Sequence, residues 1–165
     1  MQSKLVGLIK DILTTLIIVG VVAGGGYLLT GTWPFMVAVQ SGSMEPNLHI
    51  GDVVFLVSPE KKEIITYLEG KENGYKKFGD YGDVIVYRPN GDPSRTPIIH
   101  RAITFVHKGE KIGGYVAEND GYLTKGDNNP VMDQPLLSKP VKKEWIVGVA
   151  VFKIPYIGYF RLLFG

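Results

Sequence analysis

The sequence predicts a mostly β protein: an antiparallel β domain preceded by one N-terminal apolar helix. Three observations carry that expectation. An apolar run from Ile12 to Leu29 holds no charged residue, and Lys10 and Asp11 bound it on one side. Beyond it, short Val- and Ile-rich runs follow Gly-Asp turns, and no segment keeps a long helical period. The composition agrees, with Gly at 21, Pro at 10 and nine Tyr among 165 residues, a turn-rich and β-favouring mixture.

The N-terminal run approaches the ~20 residues that cross a bilayer as a helix, the open-chain form that satisfies its own backbone there. Lys4 and Lys10 precede it, which places the N-terminus in the cytoplasm and the remainder outside. Trp33 and Phe35 follow it, where an interfacial aromatic belt falls. A cleaved leader is the competing reading, with Val21-Val22-Ala23 as the small-residue site. The run continues through Tyr27, Leu28 and Leu29 past that point, which favours the anchor. The expected organisation is thus 1–30 as cytoplasmic stub and transmembrane helix, and 31–165 as an extracytoplasmic β-rich domain.

Within that domain, Val37 to Leu56 reads as extended chain broken by a Ser-Gly-Ser turn. The stretches 51–57 and 82–88 each start with Gly-Asp and continue as buried strands. Residues 58–80 are charged and turn-rich, a surface insertion with room for a short helix. Asn90-Gly91 is a turn signal, leading into a strand over 98–106. A final strand is expected over 144–155, ended by Pro155, and 155–165 forms a membrane-proximal apolar tail too short to span.

A net charge of +2 with scattered Lys and Arg gives no footprint for nucleic acid. The absence of cysteine removes disulfides, thiolate nucleophiles and Cys-based zinc sites. No HExxH or EF-hand spacing is present, so neither metal nor cofactor is expected. Ser43, in "SGSMEP", needs a base within reach and donors for an oxyanion. Its own N–H and the Ser41 hydroxyl are candidates for those donors. The same residues also make an ordinary polar turn. G-x-S-x-G is absent, which argues against an α/β-hydrolase. Three histidines are available as base. His49 lies in the same loop, whereas His100 and His107 lie an odd separation apart, on opposite faces of an unbroken strand. His100 between Ile99 and Arg101 also fits a packed core histidine. Asp127 and Asp133, in "TKGDNNPVMDQP", are the candidates for orienting an imidazole, or they serve only the turn.

Taken together, "SGSMEPNLHIGDVV", "YGDVIVYR", "IIHRA" and "KGDNNPVMDQ", in that order behind an N-terminal anchor, resemble the type I signal peptidases. The position filled by lysine in the usual bacterial enzymes holds His100, which is similar to the archaeal and endoplasmic-reticulum (Ser-His) branch. The resemblance implies Ser43 as nucleophile, His100 as general base, Asp133 completing the triad-like set and Asp127 supporting it. It implies Ser41 with the Ser43 N–H at the oxyanion, and Val39, Met44, Leu48 and Ile99 lining shallow pockets for substrate side chains. It also implies a membrane-bound serine endopeptidase that removes signal peptides from exported preproteins. Its partners would be those preproteins, membrane lipid and the protein translocation channel, at the outer face of a cell membrane. Met132 departs from the family, where another acid often precedes the aspartate, and the 58–80 insertion is long. Two rivals remain at this level: a membrane-tethered domain that binds a partner without catalysis, and a self-cleaving protease of the repressor-processing kind, which uses lysine.

Overall fold

The computed structural model describes residues 2–157; the apolar tail expected over 155–165 therefore lies outside the described residues from 158 onward. Helix α1 spans Gln2–Thr30. Its Lys4–Thr30 part is long and apolar enough to cross a membrane. It keeps its greasy side chains turned outward, with Leu16, Val21 and Leu29 at 62%, 68% and 81% exposure. Its apolar window is unburied in the fold, the pattern of a candidate membrane span.

The chain then forms β1 (Met36–Ala38), a tight turn over Gly42–Met44, and β2 (Val53–Val57). Helix α2 (Tyr67–Asn73) lies inside the predicted insertion, opened by Thr66 and Glu69, whose side chains reciprocally bond each other's backbone N–H. Two small strands, β3 (Lys76–Lys77) and β4 (Asp80–Tyr81), complete that insertion. Next come β5 (Val84–Tyr87), β6 (Ile98–Val106), the minor hairpin of β7 (Lys111–Ile112) and β8 (Tyr115–Val116), β9 (Gly121–Lys125) and β10 (Ile146–Ile154).

The main sheet has six strands in the order β1-β2-β10-β5-β6-β9, and every neighbouring pair is antiparallel. Both faces are covered. Val84 and Val86 of β5 join Val54, Leu56, Met44 and Leu48 in one core, while Ile85 and Tyr87 join Ala102, Val141 and Val149 in another. A strand serving two cores is apolar at every position, which is why "VIVY" shows no alternation. Register does the rest of the positioning: Ile85 pairs with His100, and Arg101 with Lys125. The loop that leaves β9 at Gly126 therefore starts beside the strand that carries His100.

One expectation needs correcting. The register of β6 shifts between Ala102 and Thr104, so the strand is not the unbroken ladder on which the face argument for His100 and His107 relied. The two histidines are separated instead by burial. His100 is 4% exposed, whereas His107 stands past the end of β6 on an exposed turn.

Candidate active site

Ser43 sits in the turn between β1 and β2. Met44, fully buried in the core, anchors that turn from below. From the side it is clasped by the loop after β9: the Asn128 N–H donates to the Ser43 carbonyl at 2.9 Å, and the Asn128 side-chain amide to the Gly42 carbonyl at 3.1 Å. Ser41 Oγ lies 3.2 Å from Ser43 Oγ.

His100 reaches both neighbours at once. Its Nε2 is 3.0 Å from Ser43 Oγ, and its Nδ1 is 2.7 Å from Asp133 Oδ2. A carboxylate oxygen only accepts, so Nδ1 carries the proton and Nε2 is left to accept from the serine hydroxyl. The serine hydroxyl therefore lies within hydrogen-bond reach of an accepting ring nitrogen.

Asp133 is 2% exposed, and three donors converge on its Oδ2: the His100 Nδ1–H, the Tyr87 hydroxyl at 2.9 Å and the Thr124 hydroxyl at 2.6 Å. Its Oδ1 is buried and has no hydrogen-bond partner among the described residues. Gln134 closes the arrangement, donating from Nε2 to Thr124 Oγ1 at 3.1 Å and accepting from the Thr124 N–H at 2.9 Å. With Thr124 oriented by the amide, its single proton points at Asp133. Burial, with the Asp133 charge next, pushes the Tyr87 hydroxyl well above its ordinary pKa, so this group stays a donor across all working pH.

Asp127 stands elsewhere. Its two oxygens take a bidentate fork from Arg101, Nε to Oδ1 at 2.8 Å and a terminal nitrogen to Oδ2 at 2.6 Å, and Oδ2 also accepts from Asn47 at 2.8 Å. Arg101 is 1% exposed, and its other terminal nitrogen donates to the carbonyls of Lys77 and Gly82, each at 2.9 Å. The pair thus fastens three segments together: the turn after Ser43, the insertion, and the loop that carries Asp133. Asp127 bonds Arg101 and Asn47 rather than His100.

A groove of about 960 Å³ opens over Ser43 and His100, with Val37, Ala38, Ile98 and Ile99 among its walls. Of the four residues expected to line substrate pockets, Ile99 is in this groove. Val39, Met44 and Leu48 are instead in the core, at 1%, 0% and 0% exposure. The physical reason is local: a turn that projects Ser43 needs apolar anchors beneath it, and these are its nearest apolar neighbours in the chain. Residues that sequence reasoning missed are Tyr87, Thr124, Gln134, Arg101 and Asn47. The one available signal was a tyrosine in an otherwise apolar strand, since a buried hydroxyl needs a partner. His49 is held in its loop by a backbone bond to Asp52 at 3.1 Å.

No family model matches the chain. Individual relatives do. The chain is 31% identical to a protein from Lodderomyces elongisporus described as signal peptidase complex catalytic subunit SEC11, over 94% of this chain and 84% of that one. A protein of the same description from Schizophyllum commune is 36% identical over 80% of this chain, and one from dog, SEC11C, is 34% identical over 84%. The chain spans 65% and 62% of the length of those last two relatives.

Proposed function

This chain belongs to the family of SEC11-type signal peptidase catalytic subunits, and from that premise we propose that it is a membrane-bound serine endopeptidase that removes N-terminal signal peptides from exported preproteins. The observation that carries the reading is the relay Ser43 Oγ, His100 Nε2, His100 Nδ1, Asp133 Oδ2, with steps of 3.0 and 2.7 Å. A partner-binding domain without chemistry has no reason to hold a serine hydroxyl on a base lone pair. Lysine, which the repressor-type protease uses, does not occupy the position.

In this mechanism Ser43 Oγ attacks the scissile carbonyl while its proton passes to His100 Nε2. Asp133 holds the ring and stabilises the imidazolium that forms. The Ser43 N–H and the Ser41 hydroxyl receive the oxyanion. His100 then gives its proton to the leaving amine of the mature chain. Water, activated by the same base, releases the signal peptide from the acyl-enzyme. Asp127 contributes by holding the clasp through Arg101 and Asn47.

The substrate enters extended. Strand β1 is an edge of the main sheet, so it offers backbone groups to an added strand. Val37, Ala38, Ile98 and Ile99 then leave space for small side chains and exclude large ones, specificity by clash rather than attraction. Helix α1 anchors the enzyme with Lys4 and Lys10 on the cytoplasmic side and residues 31–165 on the outer face of the membrane. Confining enzyme and preprotein to one layer raises their effective concentration. The relatives are described as subunits of a complex, which supports companion subunits, and proximity to the translocation channel suits a substrate still crossing the membrane.

The test is incubation of the detergent-solubilised chain with a preprotein, followed by size. Wild type is expected to shorten it, and Ser43→Ala and His100→Ala to leave it intact while remaining folded by circular dichroism. Processing by either variant at near the wild-type rate would remove that residue from its role.

A further inference from the structure

An α-helix leaves its last four carbonyls without an intrahelical donor, and in α1 these are Tyr27, Leu28, Leu29 and Thr30. Each is met. The Gly31 N–H, on a residue with φ of 72° that closes the helix, donates to Tyr27 O at 2.7 Å. Lys61 Nζ donates to Leu28 O at 2.7 Å and to Leu29 O at 3.2 Å. The Ser58 N–H donates to Thr30 O at 2.8 Å. Three of the four carbonyls are therefore capped by the segment just past β2 rather than by the helix or by solvent. The Lys61 ammonium also faces the negative end of the helix dipole.

The connection is held along its length as well. The Phe35 ring lies so close to Gly26 in the last helical turns that a Cβ there would come within 2.6 Å of it. The Thr32 hydroxyl donates to the Val147 carbonyl in β10. The Leu56 N–H donates to Phe35 O at 2.8 Å. A loose tether between an anchor and a soluble domain needs none of these bonds.

We propose that Lys61 is a positioning residue for cleavage: by clamping the end of α1 to the β domain it sets the height of Ser43 above the membrane, so the scissile bond is selected by its distance from the bilayer as well as by its side chains. The proposal rests on the signal-peptidase reading. Its physical basis is the width of a distribution. A rigid strut presents Ser43 at one height, whereas a swivelling one spreads it over many, and reactive alignment is lost steeply with displacement. Removing the ammonium leaves two helix-end carbonyls undonated beside the apolar layer, where such groups are costly, and the joint relaxes to find other donors.

The experiment uses the full chain in phosphatidylcholine vesicles with preproteins whose spacer between apolar segment and cleavage site is lengthened or shortened residue by residue. Wild type is expected to show one optimal spacer, with a rate lower by about tenfold or more two residues away, a shift of roughly 7 Å in extended chain. Lys61→Met is expected to flatten that profile, Lys61→Arg to preserve it, and both to hydrolyse a short soluble peptide at the wild-type rate. A sharp profile in Lys61→Met, or an equal loss on the soluble peptide, overturns the proposal. A second measurement needs no activity. The chain has no cysteine, so Val19→Cys with Lys108→Cys places just two spin labels, one on α1 and one on the β domain. Their distance distribution is expected to be narrow and to broaden when Lys61→Met is added; an unchanged width overturns the clamp. A wild-type chain that cleaves no preprotein refutes the protease reading, while the label distances still judge the clamp.

Discussion

Asp127 and Asp133 leave the same loop after β9, yet they are put to opposite uses. Asp127 gives both oxygens to the Arg101 fork and Asn47, an ion pair closed on itself that joins backbone segments. Asp133 gathers three donors on Oδ2, one of them the imidazole that faces Ser43. The first arrangement ties segments together and the second holds an imidazole against Ser43. The difference teaches that a buried carboxylate is read by its donors: a guanidinium saturates the charge, whereas an imidazole and hydroxyls orient it and leave it available to respond when the ring becomes charged.

Asp133→Asn is the sharpest way to break that comparison. The amide can present N–H to Nδ1 and turn the ring to the wrong tautomer, so kcat is expected to fall by ~10⁴ with the fold retained. A loss of tenfold or less, measured on a preprotein, would mean that Asp133 does not orient the base. Asp127→Asn should do the reverse. Breaking a buried ion pair strands Arg101 and is expected to cost about 3–5 kcal/mol in stability, read from urea unfolding. Turnover per folded molecule should stay close to wild type; a selective loss of kcat at unchanged stability would make the two aspartates equivalent after all.

Tyr87→Phe sharpens the comparison at smaller scale. It removes one of the three donors, with about 1–3 kcal/mol at stake for a buried polar group. Catalysis should slow by about tenfold, the equivalent of 1.4 kcal/mol. The alkaline side of the wild-type rate profile is expected to contain no titration from this hydroxyl.

The smallest effect comes from another buried aspartate, Asp52, which is not bonded to Ser43, His100 or Asp133. Desolvation by burial raises the pKa of Asp52, but the bonds from His49, Lys153 and Tyr156 outweigh it, and the net shift is below the ordinary 3.8. A depressed carboxylate pKa stabilises the fold above 3.8 and loses that contribution as pH falls through the folded value. Asp52→Asn should therefore lower Tm at pH 7, by an amount that shrinks as acid approaches that window. A Tm difference independent of pH would show that the Lys153 bond at 2.9 Å adds no charge-dependent stability.

Several elements were legible in the chain itself. The strand expected over 98–106 is β6 (Ile98–Val106), and the helix foreseen inside 58–80 is α2. The last strand begins later than expected, at Ile146, because Lys143–Trp145 forms a tight turn first. The proximity of Ser43, His100 and Asp133 was expected from resemblance alone. Their spacing gives no geometry, because 57 and 33 residues separate the bonded partners of His100. The Tyr87 bond to Asp133, across 46 residues, had no sequence signal beyond an aromatic in a buried strand. The resemblance assigns Val39, Met44 and Leu48 to substrate pockets, and the packing places their side chains in the core around the Ser43 turn.

The sequence by itself determined the long apolar N-terminal helix, the strand-and-turn pattern and the turn that projects Ser43, since these follow from local hydropathy and backbone preference. Only the tertiary structure decided which histidine meets the serine, which aspartate meets the histidine, and that Lys61 closes the end of α1. Those outcomes depend on strand register and on the packing of two cores, where one residue of slip redirects every side chain on a strand, and register is settled by contacts between segments far apart in the chain.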